Sequence, residues 1–290
     1  MTDKYANLHL HSTHSDAGFR PAHLCCLAKS LGYGAIAVTD HEAISGIPEL
    51  LACAKNNGLE AMTGVELYAE LKVDDSDINP VYHIVGLDFD HTHPSIVNFT
   101  DMMTAHRNEH TRRQYESAQE RGLFPKEVTW DDIVKTNPGS KWFCNDQVYF
   151  ALDALGVIPI YKRGETFKEA FKTGEAAKIK IYVPDMQDVI NAIREAGGIA
   201  VLAHPSLGSF KYIRKLADMG LKGIEASHPH VTEDRVVLAH HAAIEYNLYL
   251  SGGTDHTGPM SACGGDRAIP VFNGATQDEF NAIKERRYGN

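Results

Sequence analysis

The sequence predicts an α/β chain, a βα barrel interrupted by an inserted helical stretch. Three observations carry this expectation. Short apolar runs alternate with helical segments through residues 1–93 and again through 181–290, the rhythm of βαβ units and a largely parallel sheet. Residues 94–180 lose that rhythm. Nearly every histidine–carboxylate group falls on or just past the end of an expected strand, where a barrel gathers its chemistry.

The elements follow in order. Residues 7–11 (NLHLH) read as a strand, and 21–31 as a helix opened by Pro21 and closed by Gly32. Residues 35–39 (AIAVT) are a buried strand, 47–56 a helix ended by Gly58. Strands are expected at 60–63, 68–73 and 82–87, with a polar turn at 74–80. Residues 94–121 form a long polar helix, and shorter helical pieces follow, broken by Gly122, Pro138, Gly139, Gly156, Pro159, Gly164 and Gly174. The rhythm then resumes: helix 185–196 capped by Asp185, strand 198–203, helix 209–219, strand 223–226, helix 233–246, strand 248–251 and helix 277–286. The expected division is therefore a barrel from 1–93 and 181–290, and a helical insertion from 94–180.

The bulk numbers bound the function. At 290 residues, 43% apolar and 23% charged, the chain can bury a large core as one barrel. No apolar run approaches the ~20 residues of a membrane span, and MTDKYANLHLHS is no signal peptide. A cytoplasmic location is expected. Cys25, Cys26, Cys53, Cys144 and Cys263 are odd in number and lack CxxC spacing, which points to reduced thiols. A net charge of -10 argues against gripping duplex nucleic acid through a basic face. It leaves a small nucleotide open, because bound cations supply positive charge locally.

The 16 histidines are unusual, and their placement carries the chemistry. His9 and His11 are followed by Asp16; then come Asp40 with His41, Glu66, His83, His204 and Asp255 with His256. Residues i and i+2 of a strand share a face, so His9 and His11 can serve one ion. Imidazole nitrogen with carboxylate oxygen suits zinc, manganese or iron. Glu66 is the natural carboxylate to bridge two ions. Paired ions acidify a bound water and clamp both oxygens of a phosphoryl transfer.

The strings NLHLHSTHSDAGF, VTDHEAISG, TGVEL, HIVG, VLAHPS and GGTDHTG resemble the PHP (polymerase and histidinol phosphatase) family, and most its stand-alone phosphoesterase branch. The resemblance implies a distorted (β/α)7 TIM-like barrel with two or three divalent ions. It implies that His9, His11, Glu66 and Asp255 hold one ion, that Glu66, His83 and His204 hold a second, and that Asp16, His41 and a late histidine hold a third, with Asp40 behind the ligands. The family's last motif places one residue between its aspartate and histidine. Here Asp255 and His256 are adjacent, and His256 is the expected late ligand. The branch also often carries an Arg and a His in the insertion. The corresponding Phe143-Cys144-Asn145-Asp146-Gln147 has neither.

Asp40 and His228 are the candidate catalytic residues, His228 as a proton shuttle or phosphate contact. Arg20, His228 and Lys141 are candidate substrate contacts, with Arg107, Arg112 and Arg113 more simply a solvated helix face. His14, His23, His91, His93, His240 and His241 are read as ordinary structural histidines, and Gly252 and Gly253 as turn residues. The expected reaction is hydrolysis of a phosphate monoester of a small nucleotide, such as AMP or a 3',5'-bisphosphate, by metal-activated hydroxide. The rivals are a histidinol-phosphate phosphatase, a 5'-3' exonuclease on oligonucleotides and a non-catalytic metal-binding module.

Overall fold

A computed structural model describes residues 4–73, 78–258 and 273–286. Eight strands form one sheet in the order β7-β6-β5-β4-β3-β2-β1-β8. They are β1 Lys4–Asn7, β2 Ala35–Val38, β3 Glu60–Glu70, β4 Val81–Leu87, β5 Ile199–Leu202, β6 Gly223–Ser227, β7 Tyr249–Gly252 and β8 Ala275–Thr276. The expected parallel pairing holds for β1–β2, β2–β3, β5–β6 and β6–β7. It fails at β4, which runs antiparallel to both β3 and β5. The reason is local. The two strands expected at 60–63 and 68–73 are one 11-residue strand, and only residues 71–80 separate it from β4, fewer than a parallel crossover needs. Residues 74–77 of the expected polar turn, and Cys263, lie outside the described residues.

The sheet curls into a nearly closed barrel. Beyond β1 the chain keeps bonding to the segment after β7: Leu8 N donates to Gly252 O at 3.1 Å, Asp255 N to His9 O at 2.9 Å and His11 N to His256 O at 3.1 Å. The Asn7 side chain binds both the Thr254 hydroxyl and the Thr254 amide. Gly253 belongs to this seam, since a Cβ there would collide with His9. Close approach, rather than the expected turn, explains this glycine.

Two apolar layers sandwich the barrel wall. Ala6, Leu8, Ala37, Met62, Val85 and Val201 pack together, joined by Phe280 and Ile283 of the terminal helix Gln277–Glu285. Ile36 and Val38 pack instead with Leu24, Leu50 and Ala54 of helices Pro21–Ser30 and Ile47–Asn57. The helix expected at 209–219 is two short ones, Leu207–Phe210 and Ile213–Asp218.

The helix Pro94–Glu120 spans 27 residues, about 40 Å. His93 caps it, accepting from the Ser95 amide, and Pro94 is preorganised for its first turn. Its start packs on the barrel through Ile96. Its far half joins a separate cluster: Tyr115 and Ala118 pack with Phe124 of the following loop and with Ile133, Tyr149, Leu152 and Phe171 of helices Trp130–Thr136, Asn145–Ala154 and Arg163–Phe171. No helix among the described residues is long and apolar enough to cross a membrane.

Candidate metal centre

The barrel mouth collects the polar residues because the strands end there. His9 and His11 lie just past β1. Thr39 ends the β2 run, placing Asp40 and His41 beside Glu66, with Glu66 N donating to Asp40 O at 3.1 Å. Glu66 sits inside β3, which overshoots its parallel neighbour β2. β4 is reversed, so His83 near its start meets the far ends of the others; Ala203 N donates to His83 O at 3.0 Å. His204 follows β5 and Asp255 follows β7. His204, Asp255 and Glu42 all have left-handed backbones, with φ of 27°, 50° and 53°, a strain that collects at functional sites.

Glu66 is the hub. Its Oε1 lies 2.8 Å from His83 Nδ1, 3.1 Å from His204 Nε2 and 3.4 Å from His9 Nε2. Its Oε2 lies 3.1 Å from His41 Nδ1 and 3.3 Å from His11 Nε2. Asp255 Oδ1 is 3.0 Å from His11 Nε2 and 3.7 Å from His9 Nε2. Asp16 stands 3.7 Å from His11 Nδ1 and 3.8 Å from His41 Nε2. Ligand atoms cluster tightly enough to hold an ion in the sets His9–Glu66–His204, His9–His11–Asp255 and His11–Asp16–His41.

The electrostatics are extreme because the groups are buried. Burial opposes charge on Glu66, yet His83, His9 and His41 hold its carboxyl well below the usual range. Asp255 is likewise well below, against burial, through His11 and His228. Burial disfavours a charged His11, but Asp16, Asp255 and Glu66 raise it to about 9. His41 goes the other way, to about 3, because burial wins. Yet His9 Nε2, both nitrogens of His11 and His41 Nδ1 are buried without a hydrogen-bonding partner. Such orphaned atoms are costly. Converging beside carboxylates, they fit divalent cations.

Several supporting roles differ from the expectation. Asp40 does not face the cluster as a catalytic group. Its carboxylate is consumed by the Ser12 amide at 2.7 Å and the Ser12 and Ser15 hydroxyls, each at 2.6 Å. It fixes the loop that carries Asp16. No candidate ligand set among the described residues includes His256, although both its ring nitrogens are also buried without a hydrogen-bonding partner. It pairs in parallel with Leu10, so it shares the outward face on which Leu10 packs with Leu24 and Ala28. Its ring stacks on Phe19 at 6.1 Å. Arg20 is a surface residue bound to Glu49 through Nε at 3.2 Å and a terminal nitrogen at 3.1 Å. Lys141 projects into solvent. His228 is buried at the centre, its Nε2 3.5 Å from Asp255 Oδ2, and its Nδ1 accepts the His230 amide. His14 bonds to Ser45, an ordinary role as expected.

Glu225 escaped the sequence reading. Its Oε1 binds His9 Nδ1 at 2.7 Å, and Oε2 accepts the His204 amide at 2.6 Å. Although burial resists, His9, His228 and His204 hold its carboxyl at about 2. A lone glutamate inside the strand GIEAS was the available signal, since a buried carboxylate needs partners. Arg107, expected on a solvated helix face, is instead paired with buried Glu42 at 2.9 Å.

The PHP domain family matches residues 7–251. A 5'-3' exoribonuclease of Haemophilus influenzae is 32% identical over 264 residues, covering 88% of this chain and 90% of that protein. A 3',5'-nucleoside bisphosphate phosphatase of Chromobacterium violaceum is 28% identical over 263 residues, covering 87% of each. A solved structure from Bifidobacterium adolescentis, assigned as a metal-dependent phosphoesterase, superposes with a TM-score of 0.77 at 25% identity, covering 98% of this chain and 96% of that one.

Proposed function

The chain belongs to the PHP family and is a phosphoric ester hydrolase, and from that premise we propose that it removes phosphate from a small nucleotide of the AMP or 3',5'-bisphosphate type. The observation that carries this reading is the set of buried, partnerless imidazole nitrogens gathered around Glu66. His9, His11 and Asp255 would hold one ion, Glu66 with His83 and His204 a second, and Asp16 with His41, beside His11, a third. The mixed nitrogen and oxygen donors suit zinc, manganese or iron. When bound, the ions supply an acidified water and offset the charge that develops on the phosphoryl oxygens.

The protein's own groups do the rest. Glu66 spaces the ligands on either side of its two oxygens. Glu225 fixes His9 with Nε2 facing inward. His228 accepts at Nδ1, so its Nε2 carries the proton and points at the cluster beside Asp255. It is placed to donate to the departing oxygen. The inserted helices, residues 94–180, act as the wall that selects the substrate, because Trp142 stands against His41 at 6.0 Å.

A net charge of -10 favours a small substrate over a polymer. A second reading, removal of the terminal nucleotide of an RNA, is favoured by the 32% identity to the exoribonuclease. Phosphate release by metal-loaded protein from AMP, a 3',5'-bisphosphate, histidinol phosphate and a 5'-phosphorylated oligoribonucleotide separates the readings. Turnover of the mononucleotides alone supports the first. Stepwise shortening of the oligomer with no mononucleotide dephosphorylation supports the second and refutes the first.

A further inference from the structure

The helical insertion is fastened to the barrel at the residue next to a site histidine. Glu42 follows His41, is 1% exposed and has a left-handed backbone. Its carboxylate accepts Arg107 Nε at 2.9 Å, a terminal Arg107 nitrogen at 3.3 Å and the Trp142 indole N–H at 2.9 Å. Its carbonyl accepts the Thr104 hydroxyl at 3.0 Å, and its amide donates to Glu66 O at 2.8 Å. One residue thus ties β3, the long helix and the Trp142 segment together at the barrel mouth.

The same contacts frame His41. The Arg107 guanidinium lies over the rings of Tyr68 and Trp142, 5.0 and 5.3 Å from their centroids. Those two rings stack on His41 at 5.4 and 6.0 Å, each inclined by 24°. A buried ion pair is a poor choice for stability alone, because desolvation offsets its attraction. Here it is bidentate, shared with an indole and set beside an imidazole whose Nδ1 has no hydrogen-bonding partner. Such an arrangement fixes the plane of a ring, as groups behind metal ligands do.

We propose that Glu42 and Arg107 are positioning residues for His41, so that the ion held by Asp16 and His41 is bound tightly only while the insertion is docked. This rests on the metal-centre reading of the site. By linkage, that ion in turn strengthens the docking of the insertion.

The test is metal binding, independent of turnover. Manganese or zinc stoichiometry and affinity are measured for the wild type, Glu42→Gln, Arg107→Gln and Arg107→Lys. Trp142 emission is followed during metal addition in a Trp130→Phe background. Both Gln variants should hold one ion roughly 10–100-fold more weakly while the remaining ions bind as before, and their Trp142 response should fade. Arg107→Lys should recover part of the affinity. Arg112→Gln, which breaks only helix-surface pairs with Glu109 and Glu116, should bind like wild type. If Glu42→Gln does not fold, the Arg107 pair decides. Undiminished affinity for every ion, with an intact Trp142 response, overturns the proposal while leaving the metal centre standing. A wild type that takes up no ion overturns both.

Discussion

Glu225 grips His9 from behind, its Oε1 2.7 Å from Nδ1, and this turns His9 Nε2 toward Glu66 and Asp255. Carboxylates in that position orient a ligating imidazole and raise its basicity. Glu225→Gln should therefore lower metal affinity by roughly 10–100-fold with the fold retained, as read by chelator competition. Unchanged affinity would show that His9 is held by other contacts.

Asp40 predicts a different signature. Its loss strands the Ser12 amide and the Ser12 and Ser15 hydroxyls, and unsatisfied buried donors cost about 1–3 kcal/mol. Asp40→Ala should lower the thermal midpoint of the metal-free protein and free the loop bearing Asp16. A group acting only on substrate would leave that midpoint in place.

His256 and His41 separate the two accounts of the late histidine. His256→Phe keeps an aromatic surface for Phe19 to pack on and should leave ion stoichiometry unchanged, whereas His41→Phe should cost an ion. Loss of an ion in the His256 variant would restore it as a ligand.

Protons and metal compete for His11. Raised to about 9 from an ordinary 6.5, it is protonated at neutral pH in the metal-free protein and must lose that proton to bind an ion. Metal addition should release protons near pH 7.5 and release fewer at pH 10. The stability that charged His11 contributes is complete below about pH 6.5 and is lost as pH rises through about 9. For Glu225 the sign reverses: its contribution is present above about pH 4.5 and is lost as pH falls toward about 2. Calorimetry in buffers of different ionisation enthalpy counts the released protons directly.

Much of this architecture was legible because strand ends announce themselves. AIAVT running into Asp40-His41 and GIAVLA running into His204 mark the barrel mouth without any contact information. Besides Glu225, three features escaped for physical reasons. The reversal at β4 is a choice of connection, and an apolar strand reads alike in either direction. The outward facing of His256 follows from its pairing with Leu10, a register set by residues some 250 positions apart. Arg107 looked like a solvated helix residue because its partner Glu42 lies 65 positions earlier. Long-range ion pairs leave no local periodicity to detect.

The most direct test of the central claim is phosphate release from AMP and a 3',5'-bisphosphate by metal-loaded protein, set beside the Glu66→Ala/His204→Ala double variant and a chelator-treated control. Release by the wild type, lost in both controls together with bound ions, is the predicted result. Phosphate release that survives removal of Glu66 and His204 would contradict the account.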